Sequence, residues 1–135
     1  MSHLEDIKQY ARSCLTDEIP SGQKHKWACQ RFLDDLDRVG TVDFPYIWSE
    51  DNANRIVTWF ALLKHSKGAL AGKPIELTDW QKFRACQLYG WVHRETGKKR
   101  FKKSFTEVGR KNAKSQMEAG EALFEIAIQA TKNIE

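Results

Sequence analysis

The residues best suited to chemistry lie between Val108 and Ser115, in the run VGRKNAKS. A lysine beside a hydroxyl, Lys114-Ser115, opens a long stretch of helical apolar spacing, and the basic segment Arg110-Lys111-Asn112-Ala113 comes just before it. Upstream, Phe101, Phe105 and Val108 give Arg100 to Val108 the character of a strand, and Gly109 supplies the turn. Strand, short loop and helix, with Lys-Ser at the helix start, is the layout of a phosphate-binding loop. In such a loop backbone N–H groups hold phosphate oxygens, the lysine reaches the β- and γ-phosphates, and the hydroxyl ligates Mg²⁺. Lys114 and Ser115 are the candidates for those two roles. The strict pattern GxxxxGK[ST] asks for glycine at positions 108 and 113, where this chain has Val108 and Ala113, its one glycine being displaced to Gly109. Spacing alone therefore leaves two readings: a nucleotide loop, or a basic turn that caps a helix.

Two stretches carry a family likeness. VGRKNAKS resembles the R-K-N-[G/A]-K-S loop of tailed-phage terminase large subunits, the motors that pump DNA into capsids, whose loop departs from the strict pattern in the same way. GKPIELTDWQKFRACQLYGWVHRETGKKRFKKSF, starting at Gly72, is similar to the segment that precedes the loop in that family, and the likeness runs from about Arg55 to Ile128. The resemblance implies ATP and Mg²⁺ as ligands. Lys114 would steady the β- and γ-phosphates, Ser115 would hold Mg²⁺, and the amides of Asn112, Ala113, Lys114 and Ser115 would line the cradle entered through Gly109. Arg110 matches an arginine that stabilises charge developing on the γ-phosphate, so Arg110 and Lys114 are the catalytic candidates. Lys111 adds general attraction for phosphate.

Gln81 has two roles open to it. Thr78 and Gln81 have the spacing of a capping box, in which the glutamine reaches back to the Thr78 N–H. Leu77-x-x-Trp80-Gln81 ahead of the loop also resembles the adenine-recognising glutamine motif of terminases and helicases, where the amide offers one donor and one acceptor to the base.

Hydrolysis further needs a metal-binding acid at a strand end and a carboxylate to activate water. After Lys114 the sequence offers one helix and no apolar run ending in Asp-Glu. The expectation is an N-terminal piece of a terminase large subunit from a phage or prophage, ATP-binding and unable to hydrolyse ATP alone. Implied partners are double-stranded DNA, the small terminase subunit and the portal, and an unpaired strand edge would favour self-association. The alternative is a non-enzymatic helical module that binds DNA or a partner protein through the basic hairpin.

Composition agrees with a soluble folded chain. The 135 residues are 41% hydrophobic with five Trp and seven Phe, enough for one core. No apolar run approaches a membrane span, and Glu5 and Asp6 beside Met1 do not make a signal peptide, so the expected location is the bacterial host cytoplasm. Cys14, Cys29 and Cys86 are widely spaced with no CxxC pair and read as reduced core thiols. His3, His25 and His93 lie far apart and suggest no zinc site. The net charge of +4 is uneven: Arg94 to Lys114 sums to +7 and the remainder to −3, which concentrates positive charge beside the loop.

Stepping outward from the loop, apolar spacing places a helix from Ser2, through Leu4, Ile7, Ala11 and Cys14, to Leu15. A second follows from Gln23 to Arg38, with Asp34, Asp35 and Asp37 on a solvated face. After a linker from Gly40 to Pro45, a third starts at Ser49 and runs toward Gly68, and Thr78 caps a fourth that ends at a left-handed Gly90. Trp91 to His93, Thr96-Gly97 and Arg100 to Val108 read as a β-hairpin, and Ser115 to Thr131 as the last helix. The predicted class is α/β: an incomplete P-loop NTPase unit of strand, loop and helix, preceded by a mainly α-helical region and a hairpin. The boundary is placed between a helical lead-in, residues 1–70, and the start of the ATPase domain, residues 71–135.

Overall fold

Helical spacing in the first half of the chain is realised almost residue for residue. In the computed structural model the described residues are 3–63, 72–73, 76–102, 104 and 114–134, with only the backbone described for 114–116 and 129–134. They form five helices and two strands: α1 His3–Leu15, α2 Gln23–Arg38, β1 Tyr46–Trp48, α3 Glu50–Leu62, α4 Asp79–Gly90, β2 Trp91–His93 and α5 Lys114–Ile134. Helices combined with an antiparallel strand pair agree with the α/β class at that coarse level.

The chain divides into two compact units, the first comprising Met1–Val57 and Leu77–Lys102, the second Thr58–Glu76 and Lys103–Glu135. In the first, α1 lies against α2 and α4, and β1 pairs antiparallel with β2, Ile47 opposite Val92. Ile7, Ala11 and Cys14 form the buried stripe of α1, and Cys29 and Phe32 that of α2. Phe32 is the hub of the core, its ring centroid 5.5 Å from Trp48, 5.8 Å from Phe83 and 6.3 Å from Trp91, all edge-on. Edge-to-face contacts place positive ring edges on negative ring faces, which adds to the burial of large apolar area.

Three details differ from the sequence reading. Asp35 is not on a solvated face: it is buried and accepts from the Arg100 guanidinium at 2.8 Å, with Arg38 at 3.5 Å, whereas Asp34 and Asp37 are exposed as expected. Arg100 in turn lies over the rings of Phe44, Tyr46 and Phe101 at 5.0, 4.9 and 4.7 Å. A delocalised, weakly hydrated guanidinium is suited to that aromatic setting. Gly90 does end α4, but not through a left-handed backbone, which is found at Gly40, Gly72 and Gly97. Its hydrogen makes room for an indole: a Cβ there would stand 2.6 Å from Trp48 Cη2. Finally, Trp91 to His93 pairs chiefly with Tyr46 to Trp48, beyond the linker ending at Pro45. The predicted hairpin partner contributes a tight turn at Gly97 and a single bridge, Val92 to Lys99.

In the second unit the end of α3 meets α5. Trp59 Nε1 donates to the Gly120 carbonyl at 2.9 Å, Trp59 stands 5.8 Å from Phe124, and Phe60, Met117 and Phe124 are buried. Gly120 admits Phe60: a Cβ would lie 2.5 Å from Phe60 Cε1. α3 ends at Leu62, short of Gly68, residues 64–71 being outside those described.

Candidate functional site

The expected phosphate site is centred on the start of α5. This helix begins at Lys114 and runs 21 residues to Ile134, so Lys114 and Ser115 occupy its first two positions, one residue earlier than the predicted start. The first N–H groups of an α-helix lack intrahelical partners and carry the positive end of its dipole. A carboxylate in the first turn would neutralise that end, as Glu5 and Asp6 do in α1 and Asp79 does in α4, but α5 has no acidic residue there. The first turn of α5 thus carries no carboxylate of its own. Its axis is held two turns further on, where Gly120 accepts the Trp59 N–H and admits the Phe60 ring.

Gly109, Arg110, Lys111, Asn112 and Ala113 lie outside the described residues, as do the side chains of Lys114 and Ser115. Of the strand expected from Arg100 to Val108, residues Arg100, Phe101, Lys102 and Ser104 are described and are not in a strand; the rest falls outside. Arg100 is instead committed to Asp35.

Gln81 belongs to the first unit, Lys114 and Ser115 to the second. Gln81 occupies the third position of α4, where its Oε1 accepts the Thr78 N–H at 3.0 Å while the Thr78 side chain accepts the Gln81 N–H. The reciprocal capping box is thus formed and Gln81 is buried. A carbonyl oxygen has two lone pairs, so this bond leaves acceptor capacity for a second partner.

Around the basic hairpin, Arg94, Lys98 and Lys102 are exposed, and Lys99 sits 4.3 Å over the Tyr89 ring. Among the described basic residues of the +7 segment, Arg94 also donates to the Thr41 carbonyl at 3.3 Å and Arg100 to Asp35. Elsewhere in the first unit the fold gathers ligating atoms of Cys14, His25 and Cys29 within 4.8 Å of one another. The sequence reading expected no Cys/His grouping; the fold makes one, because Cys14 arrives from α1. The available signal was His25-x-x-x-Cys29, a spacing that places both on one helix face.

No helix among the described residues is long and apolar enough to cross a membrane. No curated protein and no solved structure matches the chain. Residues 79–134, which run from the first residue of α4 to the last of α5, match the family described as terminase large subunit, ATPase domain. Over that segment the chain is similar to the ATPase domain of terminase large subunits.

Proposed function

We propose that this chain grips the phosphates of ATP·Mg²⁺ as part of a viral DNA-packaging motor. The observation that carries the reading is the coincidence of Lys114-Ser115 with the start of α5, a helix with no carboxylate in its first turn, inside the segment that matches the ATPase family. Lys114 neutralises the β- and γ-phosphates, Ser115 ligates Mg²⁺, and the amides from Asn112 to Ser115 close on phosphate oxygens, with Gly109 and Lys111 in the same loop. Arg110 faces charge that develops on the γ-phosphate, and Gln81 contacts adenine with the amide capacity left by its capping bond. Ser115 would hold Mg²⁺, which would supply neutralisation of phosphate charge when bound.

Exposed Arg94, Lys98 and Lys102 suit the phosphates of double-stranded DNA, the cargo of such a motor. The small terminase subunit, the portal and further copies of the chain are the protein partners of this reading, and the bacterial host cytoplasm its location. The same three cations also support the second reading, a DNA-binding module indifferent to ATP. Titrating Mg²⁺-dependent ATP binding in the parent and in Lys114→Ala separates the two. The motor reading expects binding in the parent and at least a tenfold loss in the variant. Binding unchanged by the substitution, or DNA affinity that falls with salt while ATP is ignored, overturns it.

A further inference from the structure

We propose that Cys14, His25 and Cys29 form a binding site for a thiophilic divalent cation of the zinc class, which clips the end of α1 to the start of α2. Cys14 is the penultimate residue of α1, and His25 and Cys29 are the third and seventh residues of α2, one helical turn apart on one face. The intervening segment reverses through Asp17, a non-glycine residue at φ 64°, and returns α2 alongside α1. That reversal brings the two sulfurs and a ring nitrogen within 4.8 Å of one another.

A tetrahedral zinc centre, with Zn–S near 2.3 Å and Zn–N near 2.1 Å, needs ligand atoms separated by about 3.6–3.8 Å. Contraction by at most about 1 Å therefore completes the geometry, within reach of side-chain rotation at the thiols. The imidazole is already oriented. Tyr10 Oη lies 2.9 Å from His25 Nε2, and the His25 ring meets the edges of Tyr10 and Phe83 at 5.8 and 5.6 Å. A hydrogen bond from one ring nitrogen to the tyrosine oxygen leaves the other with its lone pair, the arrangement in which an outer hydrogen bond fixes a metal-binding histidine.

Two sulfurs and one imidazole select zinc-like cations over Mg²⁺ or Ca²⁺, which take oxygen ligands. Binding releases the two thiol protons to solvent, so one divalent cation and two thiolates make a neutral centre, the form that a buried position tolerates. Cys14 and Cys29 are fully buried and His25 is half-buried, which leaves the fourth tetrahedral position to a water molecule reached from the His25 side.

The test uses the full chain, kept reduced with a phosphine, and Co²⁺ as a visible probe of the site. Expected are one Co²⁺ per chain with thiolate charge-transfer bands, and displacement of Co²⁺ by Zn²⁺. Cys14→Ala and Cys29→Ala should each abolish most of the charge-transfer intensity and weaken binding at least tenfold, Tyr10→Phe should weaken it less, and Cys86→Ala should change nothing. For variants that do not fold, the parent supplies a second readout: Zn²⁺ should slow maleimide modification of Cys14 and Cys29 relative to Cys86. Absence of the bands in the parent, bands that survive both cysteine substitutions, or equal protection of all three thiols would overturn the proposal.

Discussion

The two units use the same packing device and differ in how completely they close. In each, a glycine lets an aromatic ring rest on backbone: Trp48 on Gly90 in the first unit and Phe60 on Gly120 in the second. Around Trp48 the aromatic core of the first unit interlocks Phe32, Phe44, Phe83 and Trp91, and Asp35 is paired internally, while Trp27 and Val42, outside that core, are 64% and 89% exposed. Around Phe60, among the described residues of the second unit, α5 has one buried stripe and one exposed stripe. Met117, Gly120 and Phe124 of α5 are buried, but Leu123 and Ile126 on the neighbouring stripe are 52% and 65% exposed. The comparison teaches that helical periodicity alone does not state how much of a helix a fold will cover. In the first unit the exposed apolar residues fall on separate segments, Trp27 on α2 and Val42 in the linker, while in the described part of the second Leu123 and Ile126 share α5.

The largest effect that would break this contrast is expected at Trp91, fully buried at the centre of the first unit. Trp91→Ala should lower unfolding free energy by about 3–5 kcal/mol in a urea titration, because the cavity cannot close among rigid rings. A loss below about 1 kcal/mol would show that the aromatic core is not closed. Next come the glycines. Gly90→Ala and Gly120→Ala should each cost about 1–3 kcal/mol from overpacking. At Gly120 that outweighs the gain of up to about 1 kcal/mol that alanine brings to a helix interior, since Phe60 is buried and has nowhere to swing. A rise in melting temperature for Gly120→Ala would mean that the ring does not rest there.

A smaller, pH-dependent effect sharpens the account of the first unit. Burial pushes the Glu50 carboxyl up, but the Trp48 indole N–H and the His3 and Leu4 backbone N–H groups outweigh it and hold the carboxyl below its ordinary value. A lowered carboxyl stabilises the fold above its unfolded value and ceases to do so as pH falls through the folded one. Thermal melts should therefore lose stability on acidification from near pH 4.5, and Glu50→Gln should flatten that acid limb. An acid limb identical in parent and variant would exclude Glu50 as its source. The smallest effect belongs to the open stripe: Leu123→Gln and Ile126→Gln should stay within about 0.5 kcal/mol of the parent. A loss above about 2 kcal/mol at either position would reveal cover that the contrast denies.

Much of the first unit was legible because its signals are local. The start and end of α2, the end of α1, the Ser49 cap, which accepts the Asn52 N–H, and the capping box of Thr78 and Gln81 all follow from residues within one turn of each other. β1 was not legible, because three residues have no periodicity to read and their stability comes from Trp91 to His93, more than forty positions away. Asp35 misled for a related reason: an aspartate among aspartates reads as solvated until Arg100 arrives from the far end of the unit.

At the candidate sites the division is similar. Lys114-Ser115 could be placed at a helix start from spacing, since α5 is dictated by its own apolar repeat. Gln81 could be given its cap but not its second partner, because a hydrogen bond within one turn is encoded locally and a base contact is not.

The sequence by itself determined which segments are helical, most of their ends, and the family model that residues 79–134 match. Backbone preferences and side-chain periodicity act over a few residues, so they survive in the linear order. Only the tertiary structure decided which charges are internal, which glycines carry rings, and that two distant cysteines meet one histidine. Those outcomes depend on how elements pack across long sequence separations, where burial rather than local preference selects the partner.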